Sequence, residues 1–260
     1  MKCSFSLSFL ALAYAQPENF ETQDPLFRSP RSSNLMQHLE KIMEETKINL
    51  GLEQPQKSFR SKLRSMNKND MRLIHNYGCW CSFDTYKKTG SYGQPVDFFD
   101  RACKTLKEGY ECIEMDAEKE DDFCDIEGTS YRSAVGGGMP GSMTLEVLQA
   151  ECEQVNESNC QQRLCTVEGW FIQQLLKRTY SEGIFPEVHK YRHSSGNFDH
   201  GEQCQRGNGG GSKPEAECCG KYPLRFSYKL NGNVRGCCAG KTFNNVLMSC
   251  CEDGSIKPIC

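Results

Sequence analysis

Beyond its first fifteen residues, the sequence lacks any long apolar run. A helix needs about 20 consecutive apolar residues to span a bilayer, so no transmembrane segment is expected. An excess of one charge sign is also missing: 31 Lys and Arg stand against 34 Asp and Glu, and the net charge of -3 argues against a nucleic-acid-binding protein. Histidine is scarce, with five residues, and no Cys/His spacing is typical of a zinc site.

The amino-terminal apolar run predicts a signal peptide. Lys2 precedes an apolar stretch from Phe5 to Ala15, and this stretch ends in the small-x-small sequence Ala13-Tyr14-Ala15. We therefore predict that residues 1–15 are removed and that the mature chain is secreted and extracellular.

Residues 16–58 are interpreted as a leader or helical prosegment. Arg28 and Arg31 are candidate processing sites, and a disordered leader is the alternative. Within this segment, apolar residues at helical spacing predict a helix from Asn34, its candidate N-cap, to Lys47.

Cysteine is abundant, with 17 residues, of which Cys3 leaves with the signal peptide. The even remainder is typical of a secreted disulfide framework. The remaining cysteines divide into equal, even numbers before and after residue 200. This division predicts two self-contained disulfide-bonded units with no disulfide between them. Asn156-Glu157-Ser158 is a glycosylation sequon, usable only in this compartment, and its use is left open.

Two long helices are predicted, one from Asp97 to about Cys112 and one from Asn159 to about Tyr180. The acidic run 111–125 between them is interpreted as a solvated face, in preference to a calcium site. Residues 183–213, rich in Gly, Ser and polar side chains, are interpreted as a linker.

Residues 214–260 are predicted to form a small β domain. Asn231-Gly232 between two strand-like runs predicts a hairpin, and Asp253-Gly254 predicts a second turn. Neighbouring side chains on a strand point to opposite faces, so each Cys-Cys pair is expected to staple a thin sheet on both sides. These pairs lie at 218/219, 237/238 and 250/251.

The segment Tyr77-Gly78-Cys79-Trp80-Cys81, followed by Gly93-Gln94-Pro95-Val96-Asp97-Phe98-Phe99-Asp100-Arg101-Ala102-Cys103, resembles secreted phospholipase A2. That family has a Tyr-Gly-Cys-x-Cys calcium loop and a Gly-x-Pro-x-Asp-x-x-Asp start to its first catalytic helix. The resemblance covers residues 59 to about 180, and we assign 59–182 to a phospholipase A2-like domain. It implies a disulfide-linked antiparallel helix pair of phospholipase A2 type. Together with the small disulfide-rich β-hairpin domain predicted above, this gives a mainly α fold.

The resemblance also implies a catalytic arrangement. In the family a His is the general base, an Asp and loop carbonyls hold calcium, and a Tyr and an acid orient the His. Counting on from Cys103 without a gap places Leu106 on the His and Lys107 on the Asp. Tyr110 then falls on the family Tyr, and Glu168 falls on the acid.

The calcium loop is only partly kept. Trp80 and Ser82 match carbonyl positions and are possible calcium ligands, while the rest of the loop differs from the family pattern. Lys107 puts a positive charge where the cation would lie. Calcium is therefore a possible but doubtful cofactor.

The register can be checked against two family disulfides. In this numbering they would join 102 to 174 and 109 to 167, and none of these positions holds Cys. Both pairs have the same index sum, as facing residues on antiparallel helices do. Leu106 is thus predicted to face Trp170, because their indices have the same sum. Tyr110 and Glu168, which match the orienting Tyr and acid of the family, are predicted to lie near each other. A one-residue gap would instead place Lys107 on the His and Glu108 on the Asp, but would lose the Tyr110 match.

The family pattern also implies disulfides. Cys81 should pair with Cys103, and Cys152 with Cys165. Cys160 should take either Cys112 or Cys124, which leaves the other for Cys79.

These observations lead to three functional hypotheses. Leu has no proton acceptor and charged Lys has none either, so we expect a non-catalytic phospholipase A2-like protein that binds a phospholipid surface or an extracellular protein. An active calcium-dependent phospholipase A2 with a rearranged site is the first alternative. The second is an extracellular matrix or mineral-associated protein, because the dicysteine series at the carboxyl terminus resembles galaxin-type repeats.

Overall fold

The computed structural model describes residues 28–29, 39–44, 73–83, 92–134, 143–205 and 215–260. Several sequence-based predictions lie outside these residues. They are the signal peptide, most of the leader with Arg31, and most of the loop between Cys81 and Gly93.

The described chain is mainly helical, with small antiparallel strand pairs and eight disulfides. None of the helices in its described part is both long and apolar enough to cross a membrane. The helices are α1 (Phe98–Lys119), α2 (Leu145–Val155), α3 (Asn159–Leu176) with a π-helical turn at Lys177–Ser181, α4 (Val188–Tyr191) and α5 (His200–Gln203), with a 3-10 turn at His193–Ser195. The strands are β1 (Arg28–Ser29), β2 (Tyr131–Arg132), β3 (Ala216–Cys219), β4 (Phe226–Lys229), β5 (Arg235–Cys238), β6 (Lys241–Asn244), β7 (Ser249–Cys250) and β8 (Ile256–Lys257).

Helix α1 begins where the sequence predicts and ends later. Asp97 is its N-cap, and the Asp97 carboxylate accepts the backbone N–H of Asp100 at 3.0 Å. The helix continues past Cys112 to Lys119, so the first part of the acidic run is helical. Its carboxyl-terminal half packs against β3 and β4, and this contact extends the helix beyond what the local sequence indicates.

Helices α1 and α3 form an antiparallel pair. Ser158 caps α3 in a capping box with Gln161. Gly109 lies against Val167 so closely that a Cβ atom there would be 2.8 Å from a Val167 methyl carbon. The facing of these two positions agrees with the register predicted from the index sums.

Helix α2, which the sequence analysis did not predict, packs on α3. The Cys152–Cys165 disulfide joins the two helices, and Leu148 lies against Gly169. Asn156 caps the end of α2 and is buried. Its side-chain amide donates to the carbonyls of Arg132 at 2.9 Å and Cys152 at 3.0 Å. Both amide hydrogens are thus in use, and in the folded protein the sequon is part of the structure rather than an accessible glycan acceptor.

Part of the segment interpreted as a leader belongs to the core. Residues 39–44 are helical, as predicted for this stretch, and Leu39, Ile42 and Met43 are buried in the same cluster as the α1 and α3 core residues. Strand β1 pairs with β2 in an antiparallel ladder that sets Arg28 opposite Arg132.

In residues 215–260 the strands form three two-stranded antiparallel pairs: β3 with β4, β5 with β6, and β7 with β8. The predicted hairpin at Asn231-Gly232 is wrong, because β4 and β5 pair with different partners. Asn231, Gly232 and Asn233 all have positive φ and form a tight connection between two hairpins. The Asp253-Gly254 turn is confirmed, since it joins β7 to β8.

Three intra-unit disulfides agree with the family pattern: Cys81–Cys103, Cys152–Cys165 and Cys124–Cys160. The expectation that no bridge joins the two halves is wrong. Cys79 is bonded to Cys204 and Cys112 to Cys218. Two disulfides between the halves use two cysteines of each half, so the number left in each half is still even. An even count therefore does not show whether disulfides join the two halves.

Polar contacts reinforce the Cys112–Cys218 bridge. Arg225 binds the Asp116 carboxylate through two N–H groups, at 2.8 and 2.9 Å, and the Tyr222 hydroxyl donates to the same carboxylate at 2.8 Å. Burial acts to raise the pKa of Asp116, but the hydrogen bonds and the positive charge of Arg225 hold this pKa below its ordinary value. The small β unit is therefore docked on α1 and is not self-contained.

This docking gives a first prediction. Proteolysis of the unreduced protein, followed by mass spectrometry, should yield one cross-linked species that contains Cys79 with Cys204 and another that contains Cys112 with Cys218. Reduction should separate both. Recovery of every bridge within a single half would contradict the docked arrangement and restore the two-unit interpretation.

Candidate functional site

The centre of the helix pair is a buried carboxylate. Glu168 on α3 has no exposed surface, and its two oxygens accept from the hydroxyls of Tyr110 at 2.8 Å and Tyr131 at 2.5 Å. The predicted proximity of Tyr110 and Glu168 is confirmed. Tyr131 is a partner that the sequence reasoning missed, because it lies on the two-residue strand β2 and no local pattern points to it.

Leu106 lies on α1 one turn before Tyr110, and it is buried. Together with Val167 and Trp170 it lines an apolar cleft of about 190 Å³, as expected from the predicted facing of Leu106 and Trp170. A leucine side chain offers no lone pair to an attacking water, so this position supplies no general base. The cleft wall includes Leu224 from the small β unit.

Lys107 and Glu108, the two candidates in the alternative register, are both partly buried. Burial lowers the pKa of Lys107 to about 8 and raises the pKa of Glu108 to about 7. Glu108 also lies 3.7 Å from the Lys104 ammonium. At neutral pH Lys107 is therefore mainly cationic and cannot accept a proton.

The loop that resembles the calcium loop is held by a second buried carboxylate, Asp100. Its oxygens accept the backbone N–H groups of Cys79 at 2.8 Å, Trp80 at 2.7 Å and Val96 at 2.9 Å. Burial raises the pKa of the Asp100 carboxyl, although these three hydrogen bonds act in the opposite direction. Only glycine fits at position 78, because its φ is +58° and a Cβ atom would be 2.4 Å from the Asp100 carboxyl carbon.

The carbonyls of this loop are engaged within the protein. The Trp80 carbonyl accepts the Ser82 N–H at 3.0 Å, and the Tyr77 carbonyl accepts the Cys81 N–H at 3.3 Å. The Gly78 carbonyl accepts from His193 Nε2 at 2.7 Å. The described part of the loop, residues 77–83, is therefore folded back on itself.

These residues do not fit the calcium site that the resemblance implies. Calcium takes six to eight oxygen ligands, carboxylates prominent among them. In the register that the resemblance implies, Lys107 would stand in the place of the carboxylate ligand, and the Trp80 carbonyl already accepts a hydrogen bond. The described ranges hold no cluster of three or more His, Cys, Asp or Glu that could bind a metal ion.

Two histidines, to which the sequence analysis assigned no role, reach this loop. His193 bonds to Gly78, and its ring centroid lies 4.8 Å from that of His200 on α5. Burial, followed by the proximity of His193, lowers the pKa of His200. The Cys79–Cys204 bridge brings this segment to the loop, so without that bridge the contact was not predictable.

Comparisons with family models, with curated proteins and with solved structures found no match to this chain. The resemblance to phospholipase A2 therefore rests on the motifs in residues 77–103.

The Glu168 network gives a second prediction. Tyr131→Phe removes one donor from a fully buried carboxylate and should lower the free energy of unfolding by about 1.5–3 kcal/mol, the range for hydrogen bonds to charged groups. Tyr228→Phe is the matched control, because its hydroxyl donates to Glu217, whose side chain is 46% exposed. The control should cost at most about 0.5 kcal/mol in denaturant unfolding. Equal losses in the two variants would show that Glu168 does not depend on Tyr131.

The buried Glu108 gives a third prediction. Its pKa rises from 4.5 to about 7 in the folded state, so its contribution to stability is full below pH 4.5 and is lost as the pH rises through 7. Glu108→Gln should therefore stabilise the protein at pH 8 by about 1–3 kcal/mol and have little effect at pH 4. Glu118→Gln, at an exposed position of the same helix, should show no such pH dependence. A pH-independent difference for Glu108→Gln would contradict the burial argument.

Proposed function

We propose that this chain is a secreted phospholipase A2-like protein that has lost hydrolysis and acts by binding a phospholipid surface or an extracellular partner. The observation that carries the proposal is the hydrogen bond from Tyr110 to Glu168, flanked by Leu106. In the phospholipase A2 pattern, Tyr110 corresponds to the orienting Tyr, Glu168 to the orienting acid and Leu106 to the general base. The orienting pair is kept and the base is replaced by a hydrocarbon.

The register of the helix pair supports this assignment. Gly109 and Val167 face each other where the family pattern has a disulfide. At the end of the pair, the Arg178 guanidinium lies 4.3 Å from the centroid of the Phe98 ring, a contact with the same index sum. Contacts at two positions along the helix pair thus agree with the alignment in which Leu106 corresponds to the catalytic His of the family.

The chemistry supports a loss of activity. Removal of a general base costs a factor of about 100 to 10,000 in rate. Lys107 replaces the carboxylate that would bind calcium. The site therefore also lacks the metal ligand on which stabilisation of an oxyanion would depend. Glu168 is no substitute base, since its oxygens already accept from Tyr110 and Tyr131.

What is kept is a rigid framework. Eight disulfides and the Asp116–Arg225 ion pair hold the helices and the small β unit together. A preorganised surface loses little conformational entropy on binding, which favours a binding role for a scaffold that lacks catalytic groups.

The direct test is hydrolysis of a phospholipid dispersion with and without calcium, together with calorimetric titration of calcium. We expect no calcium-dependent release of fatty acid and no saturable binding. Leu106→His combined with Lys107→Asp should restore measurable calcium affinity, because it returns the charged ligand to an otherwise intact helix pair. Lys119→Asp, at an exposed position of α1, is the control and should restore none.

Two outcomes would overturn the proposal. One is micromolar calcium binding by the wild-type protein. The other is ester cleavage that Lys107→Ala or Glu108→Gln abolishes while Lys119→Ala leaves it unchanged. Either result would favour the alternative of an active enzyme with a rebuilt site.

A further inference from the structure

One end of the small β unit exposes three aliphatic side chains on two adjoining turns. Val234 is 38% exposed, Val246 73% and Leu247 67%. Single exposed aliphatic residues are common, whereas a group at one place points to a contact with another surface. We call Val234, Val246 and Leu247 the apolar tip.

The two turns are tied to each other by hydrogen bonds. The Asn245 N–H donates to the Val234 carbonyl at 2.8 Å, and the Asn245 side chain donates to the Asn233 carbonyl at 3.2 Å. The strand that leaves the tip is fixed by two disulfides: Cys237 is bonded to Cys219, and Cys238, at the far end of β5, is bonded to Cys250. The tip is therefore held in one shape before any contact is made.

The backbone N–H groups of the turn that carries Val246 and Leu247 have partners within the turn or in the adjoining one. Asn244 accepts the Val246 N–H on its side chain at 2.9 Å, and its carbonyl accepts the N–H groups of Leu247 and Met248 at 3.2 and 2.9 Å. A backbone N–H that leaves water without a partner costs free energy, and a membrane interior offers no partner. These turns can leave water without exposing those N–H groups to hydrocarbon.

Two exposed cations, Lys229 and Arg235, directly flank the turn that carries Val234. Of the other Lys and Arg between Cys218 and Cys251, Lys241 lies at the far end of the β5–β6 hairpin and Arg225 is paired with Asp116. Two acids lie on the neighbouring β3 side: the Glu215 carbonyl accepts the Leu230 N–H at 3.0 Å, and Glu217 is opposite Tyr228.

The acids that follow Cys251 lie at the other end of the unit. A Cβ atom on Gly254 would be 3.3 Å from the Cβ of Ala239, in the turn between β5 and β6. That turn is at the opposite end of the β5–β6 hairpin from Val234. Glu252 and Asp253, which adjoin Gly254, are therefore distant from the tip.

From these observations we propose that the apolar tip inserts into the headgroup–acyl boundary of a bilayer that contains anionic phospholipid, with Lys229 and Arg235 at the headgroups. The inference rests on the lipid-binding form of the proposed function and assigns its surface. Anionic lipid matches the cationic flank. A stable protein partner would need about 800 Å² on this side, far more than three aliphatic side chains provide.

The test compares sedimentation of the full-length wild-type protein with two kinds of vesicle, phosphatidylcholine alone and phosphatidylcholine with phosphatidylserine. We expect binding to the anionic vesicles, weakened by added salt, and much weaker binding to the neutral ones. Val246→Ser with Leu247→Ser should reduce the partition coefficient by roughly 10- to 100-fold, because each side chain no longer leaves water. Arg235→Glu should reduce binding to anionic vesicles specifically.

Phe123→Ser is the matched control, since Phe123 is 84% exposed and follows α1 on the helical unit. It should leave partitioning unchanged, and thermal unfolding should be the same for all variants because every substituted residue is exposed. Equal vesicle binding by the wild-type protein and the tip variant would overturn the assignment of the tip while leaving a lipid-binding function intact. Equal binding to neutral and anionic vesicles would overturn the charge argument. No binding to either kind would overturn both the tip and the lipid form of the proposed function, and would favour an extracellular protein partner.

Discussion

The arrangement of the helical unit depends on one buried acid, Glu168. A carboxylate with no exposed surface requires hydrogen-bond donors, because burial of an unsatisfied charge costs several kcal/mol. Tyr110 from α1 and Tyr131 from β2 supply those donors. The two hydroxyls fix the register of α1 against α3 and hold β2 on the pair. The side chains that would form a catalytic centre are thereby committed to structure.

Asp100 plays the same part for the adjoining loop. It gathers three backbone N–H groups, from Cys79, Trp80 and Val96, at the start of α1. The loop is further closed by His193 and by the bridge to Cys204. A motif that resembles a cation-binding loop is thus stabilised from within the chain, and the segment interpreted as a linker takes part in that closure.

The features that the sequence predicted are those with a local or periodic signal. The helical patterns that begin at Asp97 and Asn159 mark the starts of α1 and α3, and the match to the family pattern placed Tyr110 beside Glu168. What was missed is long-range. Tyr131 comes from a two-residue strand, and the bridge from Cys112 crosses to the second half of the chain, where parity counts give no warning. The predicted Asn-Gly hairpin was wrong, because the residues of a turn determine how the chain bends but not which strands pair with each other.

The most direct test of the central claim is proton NMR of the tyrosine hydroxyls. We expect two slowly exchanging hydroxyl protons, assigned to Tyr110 and Tyr131, that both disappear in Glu168→Leu, which removes both acceptor oxygens. These two protons should not change when calcium is added to millimolar concentration, because the Glu168 oxygens already accept hydrogen bonds from the two tyrosine hydroxyls. A calcium-dependent shift or loss of either proton in the wild-type protein would contradict the claim that the site is structural.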